Sequence, residues 1–443
     1  MWDALPREDD EVDTAGSSPP APALVYVGSA EDGFRDAGFV LPLANVRRIL
    51  FGRAEGSKLE ISERRESLHV GIPLAWVSGR HAELLVGEAW RGEDIRLRDH
   101  ASRNGTLLEG MPLAGDASVR PGQVFEVGRS FWALVELPAR DDEEAVRHLL
   151  PEGTANPRMR HVVRALGRLA DKGVPLLLTG ETGVGKDRLA LAMHALGGAD
   201  RPFVHANLSA GSVDQVLLAA GDGEQSLLAK ARGGTLYLDE VGELELEDQT
   251  KLVSLLMSHT PRDWAASPIS DARVIAASTR DLRGMVSRQA FRPDLMARLA
   301  GFEAHLPALR DRREDLGRLV RELAAREDGS PIPMTTEVFR AMLTYSWPFN
   351  IRELEHSLEA AAALAHPERG ITSAVWRRVV WSTDGVPEDP ARIQSVREAL
   401  VHHLAAHSGD THAVARSMHC ELRDIERWLD RLQLRAEEYG RAG

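Results

Sequence analysis

Hydrophobic positions follow different periods in three parts of the chain. Residues 23–138 carry short apolar runs separated by Gly, Asp and Pro, without a long helical period, which predicts an all-β domain. Over 153–382, strand-like apolar runs alternate with helical stretches, as in an α/β domain. Over 391–443 the apolar spacing is helical throughout and predicts an all-α domain. The pattern therefore predicts a multidomain protein.

Two polar segments lie outside these domains. One precedes the all-β domain, and the other joins it to the α/β domain. Residues 1–22 hold six acids against one arginine, followed by Ser17-Ser18-Pro19-Pro20, and have too few apolar positions to build a core. Such a composition predicts a disordered tail. Residues 139–152 include Asp141-Asp142-Glu143-Glu144 and are predicted to be an acidic linker.

Composition narrows the classes of protein to which the chain can belong. A net charge of −13 argues against a general nucleic-acid coat but leaves room for one local DNA-reading module. The single cysteine, Cys420, excludes an intrachain disulfide and suits a reducing compartment. Apolar runs such as 174–178 are far too short to span a bilayer, and no basic-then-apolar leader is present. We expect a cytoplasmic protein without a membrane partner.

A glycine-rich turn follows an apolar strand in the predicted α/β domain. Its glycines let backbone amides wrap around an anion, and the dipole of the following helix adds to the attraction. The lysine after the turn can reach the terminal phosphates of a nucleotide. The predicted ATP-binding residues of this loop are Gly180, Glu181, Thr182, Gly183, Val184, Gly185, Lys186 and Asp187.

A second predicted strand lies in the segment 233–240, which ends in two acids about fifty residues after the loop. Asp239 can hold Mg²⁺, usually through water, and Glu240 can polarise the water that attacks the γ-phosphate. The alternative is a strand that happens to end in two solvated acids. Because the phosphate-binding loop lies upstream, the pair predicts an ATPase core with ATP and Mg²⁺ as cofactors.

Four further residues could complete such a site. Thr279 ends another buried strand and could sense the γ-phosphate or orient water. Arg292 and Arg298 lie near a predicted helix end and could project into the nucleotide of a neighbouring subunit; the alternative is that both are solvated helix arginines. Arg352 lies in the first turn of a helix after Trp347-Pro348-Phe349-Asn350.

Together these motifs resemble the AAA+ domain of the bacterial enhancer-binding proteins, the sigma-54-dependent activators, over nearly all of 153–365. The resemblance implies an α/β P-loop core with a helical lid, in which Asp187 fits the usual acidic position. It implies Thr279 as sensor I, where the family usually has Asn, and Arg352 as sensor II. It also implies Arg292 and Arg298 as arginine fingers. An arginine finger requires a homo-oligomer, from a dimer to a hexameric ring.

The chain departs from that family between the glycine-rich loop and the strand that leads to Asp239 and Glu240. The family has a long insertion there with a Gly-Ala-Phe-Thr-Gly-Ala loop, which ATP hydrolysis drives against sigma-54. Here Leu208 to Arg232 spans only 25 residues, with no Phe and no Thr. A loop that pushes on a partner needs an anchoring aromatic and enough length to project. We therefore expect the ATPase core without conventional remodelling of sigma-54.

Three spaced signals in 23–138 indicate a phosphate-recognising β domain. They are Phe51-Gly52-Arg53, Val77-Ser78-Gly79-Arg80-His81 and Ser102-Arg103-Asn104-Gly105-Thr106. In this order they resemble the forkhead-associated (FHA) domain, a β-sandwich that binds phosphothreonine peptides. The resemblance implies that Arg53 and Ser78 hold the phosphate while Asn104 and Arg103 hold the peptide backbone, with His81 as a structural core residue. The alternative is an FHA fold that serves only as a docking surface.

Residues 391–443 read as three helices with a short link at 418–420, which is helix-turn-helix spacing. The segment resembles the Fis-type DNA-binding domain of the same activator family, although His419 replaces the usual turn glycine. The arginines predicted to contact DNA are Arg423, Arg427 and Arg431. Eight arginines balance eight acids here, so nonspecific attraction to phosphate is weak. A dimerisation module that no longer reads DNA remains the alternative.

The three resemblances predict a transcription regulator of the sigma-54 activator family. Phosphothreonine recognition would control an ATP-binding ring, and the last domain would select promoter or enhancer DNA, with RNA polymerase as a further partner. Hydrolysis of ATP is expected but is not established by the motifs. The alternative is a phosphothreonine-dependent scaffold or repressor whose assembly is gated by nucleotide.

Overall fold

The computed structural model of the chain describes residues 21–380 apart from 65, 88–94, 114, 138–145, 147–148, 152, 219–224, 258–271, 326–328 and 367–368. Beyond 396 it describes 407–417, 434–439 and single helical positions between 397 and 432. The tail predicted at 1–22 and the linker predicted at 139–152 lie mostly outside the described residues. No helix within the described ranges has the length and apolar character needed to cross a bilayer.

The N-terminal part folds into a β-sandwich, which confirms the predicted all-β class. Its strands are β1 Ala21–Gly28, β2 Phe39–Pro42, β3 Arg48–Arg53, β4 Glu60–Arg64, β5 Ser67–Ile72, β6 Ala82–Val86, β7 Ile95–Asp99, β8 Thr106–Leu108, β9 Met111–Pro112, β10 Asp116–Ser118, β11 Val124–Val127 and β12 Ser130–Leu137. One sheet has the order β2-β1-β12-β11-β8-β9, and the other β10-β7-β6-β3-β5-β4. Phe51, Phe125 and Trp132 pack edge to face in the core between the sheets.

The middle of the chain is an α/β domain, as the alternating pattern predicts. Five strands, β13 Leu176–Thr179, β14 Phe203–Asn207, β15 Thr235–Asp239, β16 Arg273–Ser278 and β17 Phe302–His305, form a parallel sheet in the order β14-β15-β16-β13-β17. Its helices are α1 Pro157–Arg168, α2 Lys186–Gly198, α3 Leu227–Lys230, α4 Leu246–Met257, α5 Leu282–Ser287 and α6 Pro293–Leu299. Because the strands are parallel, the polar residues that follow β13, β15 and β16 meet at one edge of the sheet.

Four helices after the sheet form the lid. They are α7 Leu316–Leu323, α8 Thr336–Thr344, α9 Asn350–Leu364 and α10 Ser373–Val379. Trp347 between α8 and α9 is buried against Trp376 of α10, and its indole nitrogen donates to the Met342 carbonyl at 2.9 Å. The lid helices therefore pack around a common apolar centre.

The sandwich packs directly on the lid, a contact that the sequence pattern did not predict. Alternate residues of β1, including Val25 and Val27, share one buried cluster with α7 and α8. The ring of Phe339 on α8 lies 4.6 Å from Phe34 and 5.1 Å from Phe131, centroid to centroid. A Cβ at Gly317 would lie 1.6 Å from the Val27 carbonyl oxygen, so α7 approaches β1 as closely as only glycine allows. We call this contact the sandwich–lid interface.

Near the C-terminus the described residues include one helix, α11 Thr411–Ser417. Its Val414 and Ala415 lie in an apolar cluster with Leu400, Leu404 and Ile425. That cluster also contains Met111 of β9. The turn at 418–420 and the complete three-helix arrangement lie outside the described residues, so the helix-turn-helix stays a prediction.

Candidate functional site

The glycine-rich loop joins β13 to α2 in the conformation that its sequence predicts. Gly180, Gly183 and Gly185 have φ values of 143°, 75° and 104°, in the region that favours glycine. A Cβ at Gly183 would lie 2.2 Å from the Phe349 carbonyl oxygen. Gly185 caps α2 without a side-chain hydrogen bond, so the first amides of the helix point into the loop. The loop is therefore built to surround an anion.

Lys186 fills the centre of this loop. The residue is only 7% exposed, and its ammonium donates to the carbonyl oxygens of Gly180 at 3.0 Å and Glu181 at 3.2 Å. Burial lowers the pKa of Lys186, while the carboxylates of Glu240, Asp239 and Asp187 act in the opposite direction. Three acids around one ammonium keep a positive charge available for a phosphate.

Asp239, the residue predicted to hold Mg²⁺, lies beside the loop. Burial and the nearby carboxylates of Asp187 and Glu240 raise the pKa of Asp239. Carboxylate oxygens are hard ligands of the type that Mg²⁺ prefers, and a cation here would relieve the repulsion between the acids. The residues present therefore fit a Mg²⁺ ion held between the protein and the phosphates of a nucleotide.

Glu240 and Thr279 contact each other at the ends of neighbouring strands. The Thr279 hydroxyl donates to a Glu240 carboxylate oxygen at 2.9 Å, and the Thr279 amide donates to the same oxygen at 3.2 Å. Glu240 has a φ of 56°, which is unfavourable for a residue with a β-carbon. Strain of this kind is most often found at functional sites.

The lid touches the phosphate loop through the start of α9. The Asn350 side-chain amide donates to Glu181 at 3.1 Å and to the Thr182 carbonyl at 3.0 Å. The Ile351 amide donates to the Gly183 carbonyl at 3.0 Å. Arg352 donates to the Thr182 hydroxyl at 3.4 Å, and its guanidinium lies 4.0 Å from Asp187. Movement of the lid would therefore change the loop itself.

The residues predicted to bind a phosphopeptide converge at one end of the sandwich. The Arg53 amide donates to the Ser78 carbonyl at 3.1 Å, and the Arg103 amide donates to the Ser78 hydroxyl at 3.1 Å. The Asn104 side-chain amide donates to the Trp76 carbonyl at 2.6 Å. Arg53 is exposed to solvent.

His81 holds two of these loops together from inside the domain. It is fully buried; its Nδ1 accepts from the Ser78 amide at 3.0 Å, and its Nε2 lies 3.0 Å from the Gly105 carbonyl. An acceptor at Nδ1 and a donor at Nε2 make a neutral imidazole, in agreement with burial lowering the pKa of His81. His81 is therefore a structural residue, as expected.

Comparison with known families identifies three domains. Residues 153–305 match the Sigma-54 interaction domain, 310–378 match the AAA+ ATPase lid domain and 49–128 match the FHA domain. The chain joins an FHA domain to a sigma-54 interaction domain with its AAA+ lid.

Several transcription regulators are similar in sequence to part of this chain. The DNA-binding transcriptional regulator NtrC of Bradyrhizobium sp. is 32% identical over 266 residues, which is 56% of this chain and 55% of that protein. The anaerobic nitric oxide reductase transcription regulator NorR of Aeromonas hydrophila is 30% identical over 65% of this chain and 64% of that protein. NtrX from Brucella abortus, solved in complex with ATP, is 25% identical over 63% of this chain and 69% of that chain, with a TM-score of 0.45. The chain spans about half the length of the NtrC proteins that it matches.

Within the sigma-54 interaction domain, the two candidate arginine fingers lie at the two ends of α6. Arg292, which precedes the helix, is held by Asp294 through two hydrogen bonds of 3.0 and 2.7 Å. Arg298 is partly exposed in the last turn. In the described contacts neither side chain touches the phosphate loop of its own chain, and their role stays a prediction. The predicted DNA contacts Arg423, Arg427 and Arg431 lie outside the described residues.

Three residues of the nucleotide site were missed by the sequence analysis. Arg310 donates to Glu181 at 2.9 Å, Asn350 joins the lid to the loop, and the Tyr237 hydroxyl lies between two carboxylates. Arg310 and Asn350 both lie within the region that resembles the AAA+ domain, and each is a polar residue beside an apolar run. A polar residue in such a position within the AAA+-like region is the signal that could have identified them.

Proposed function

We propose that the chain is a transcription regulator whose sigma-54 interaction domain binds and hydrolyses ATP in a homo-oligomeric ring under control of its FHA domain. One observation carries this proposal. The phosphate loop, the Asp239–Glu240 strand end, Thr279 and the first turn of lid helix α9 meet around the buried ammonium of Lys186.

The roles of the residues follow from their positions. Loop amides and Lys186 would bind the β- and γ-phosphates of ATP, and Asp239 would hold Mg²⁺, whose charge offsets that of the phosphates. Glu240 would accept a proton from the attacking water, which displaces ADP from the γ-phosphorus and releases phosphate. The Thr279 amide and hydroxyl both donate to Glu240 Oε2, which would fix the carboxylate so that Oε1 could orient the water. Arg352, in the first turn of lid helix α9, would contact the γ-phosphate and so make the position of the lid depend on the bound nucleotide.

A ring is needed to complete the site because no arginine finger reaches the phosphate loop among the described contacts of one chain. Arg292 before α6 and Arg298 in its last turn are the candidates, supplied to the nucleotide of the neighbouring subunit. The Asp294 carboxylate that now holds Arg292 would have to release it.

Control by the FHA domain is supported by its contact with the lid. Glu31 of the sandwich accepts from the Thr336 hydroxyl of α8 at 2.9 Å and from Arg129 at 2.7 Å. The Arg129 guanidinium stacks on Trp76 at 3.5 Å, and the carbonyl of Trp76 accepts from Asn104. A phosphothreonine peptide bound at Arg53, Ser78, Arg103 and Asn104 would compete for Asn104 and thereby act on the lid.

The output of the regulator is proposed to be DNA binding through Arg423, Arg427 and Arg431, with RNA polymerase as a partner. The short segment from Leu208 to Arg232 argues against conventional remodelling of sigma-54. The same observation favours a second candidate, a repressor or phosphothreonine-dependent scaffold whose assembly is gated by ATP.

The test is the ATPase rate per subunit as a function of protein concentration, with and without a phosphothreonine peptide library. A rate that rises cooperatively with concentration and changes with phosphopeptide supports the regulated ring, and Glu240→Gln is the matched inactive control. Bound ATP without turnover at any concentration would favour the gated scaffold. Absence of ATP binding would contradict both candidates.

A further inference from the structure

Tyr237 lies in the middle of β15, where its side chain is almost fully buried. Its ring lies 5.0 Å from that of His205 and 6.0 Å from that of Phe203, centroid to centroid. Because side chains alternate along a strand, Tyr237 and Asp239 share one face of the sheet. That face is turned toward α2, the helix that follows the phosphate loop.

The Tyr237 hydroxyl reaches the acids beside the nucleotide site. It donates to Asp187 Oδ1 at 2.6 Å, and Asp239 Oδ1 lies 3.4 Å from the same oxygen. Burial and the two carboxylates raise the pKa of Tyr237 far above its usual value. The phenol therefore stays protonated and can only be a donor when the acids are ionised.

Two carboxylates that share so small a space repel each other and turn apart unless a cation or a donor lies between them. Asp187 directly follows Lys186, and Asp239 ends the strand that leads to Glu240. Both carboxylates act to raise the pKa of the Lys186 ammonium, so they lie beside the loop that would hold the phosphates of ATP and their Mg²⁺ ion. A fixed neutral donor behind them would keep both carboxylates oriented without adding charge.

We infer that Tyr237 is a positioning residue for Mg²⁺: its hydroxyl holds Asp187 beside Asp239, so that both carboxylates face the cation of Mg²⁺–ATP. The inference rests on the proposed ATP binding. A purely structural role, in which the hydroxyl only satisfies its own burial, predicts a loss of stability without a change in the need for Mg²⁺. The two roles therefore differ in a measurable quantity.

The test is the affinity of the full chain for a fluorescent ATP analogue as a function of free Mg²⁺ concentration. Loss of a hydrogen bond behind a metal ligand typically lowers metal affinity about 10- to 100-fold. Tyr237→Phe should therefore raise the Mg²⁺ concentration for half-maximal binding by about that factor, whereas its affinity for the analogue in EDTA should equal that of the wild type. Tyr26→Phe is the matched control, because Tyr26 is also buried and donates to an aspartate, Asp32, at 3.1 Å in the FHA domain.

A second variant separates positioning from stability. If Tyr237 acts through Asp187, the double variant Tyr237→Phe/Asp187→Asn should need no more Mg²⁺ than Asp187→Asn alone. An unchanged Mg²⁺ midpoint in Tyr237→Phe, or full additivity in the double variant, would overturn the inference. ATP binding by the wild type in EDTA with no response to Mg²⁺ would also overturn it while leaving nucleotide binding intact. A wild type that binds no nucleotide at all would instead refute the proposed function.

Discussion

The sandwich–lid interface contains a buried ion pair whose loss should open it. Arg340 of α8 donates to Glu126 of β11 through two hydrogen bonds of 2.9 and 2.8 Å, and the Glu126 carboxylate is only 6% exposed. Arg340→Ala would leave that carboxylate buried without a partner. Breaking a buried pair in this way costs about 3–5 kcal/mol. Because Arg340 is itself 22% exposed and water can enter, we expect about 3 kcal/mol.

This free energy corresponds to an increase of roughly 100-fold in the population with the interface open, since about 1.4 kcal/mol is tenfold. Native-state hydrogen exchange measures that population directly, because amides protected by the interface exchange through the open state. We therefore expect peptides from α8 to exchange on the order of 100-fold faster in Arg340→Ala.

Arg283→Ala provides the matched control. Arg283 pairs with Glu303 at 2.7 Å, but its side chain is 63% exposed, and exposed pairs contribute about 0.2–1 kcal/mol. Exchange at the interface should be unchanged in this variant. If Arg340→Ala and Arg283→Ala exchange at equal rates, the ion pair does not hold the interface. Arg340→Met combined with Glu126→Leu should restore most of the protection, because no unpaired charge remains.

The remaining predictions concern the two binding sites. Lys186→Ala should abolish ATP affinity in a nucleotide titration because the only side-chain cation inside the loop is lost; unchanged affinity would refute its assignment. Glu240→Gln should bind ATP like the wild type and lose turnover by about 100-fold or more in a phosphate-release assay. Arg53→Ala should lose phosphothreonine-peptide affinity in fluorescence polarisation at an unchanged melting temperature, whereas equal binding of phosphorylated and plain peptide by the wild type would indicate a docking-only domain. Because the folded-state pKa of His81 is lowered, its contribution to stability is complete above about pH 6.5 and is lost as pH falls toward the folded value. The melting temperature of the FHA domain should therefore drop on acidification, and less so in His81→Asn.

Local features of the nucleotide site could be predicted from the sequence because single residue types demand them. Glycines at 180, 183 and 185 indicate a loop that can wrap around an anion, and all three have positive φ values in the structure. The contact between Glu240 and Thr279 could not be predicted in the same way. It depends on β15 and β16 being neighbours in the sheet, and strand order is a property of the whole fold.

The sandwich–lid interface was missed for a similar reason, although the sequence contained a sign of it. Residues 23–27 of β1 are apolar at every position instead of alternating. A strand of this kind is buried on both faces, so one face must meet something outside the sandwich. The identity of that cover depends on tertiary packing, and the structure supplies it as α7 and α8.

The lid therefore connects the candidate phosphopeptide site of the FHA domain with the candidate nucleotide site through one packed body. Helix α8 contacts the FHA domain, α9 contacts the phosphate loop, and Trp347 between them is fixed by Met342 and Trp376. Coupling between two sites is reciprocal in free energy. If phosphopeptide binding changes ATP affinity by some factor, ATP must change phosphopeptide affinity by the same factor. The two affinity factors should be equal in the wild type and should both fall toward one in Arg340→Ala if the sandwich–lid interface carries the coupling. Factors that are unchanged in Arg340→Ala would mean that the coupling takes another route.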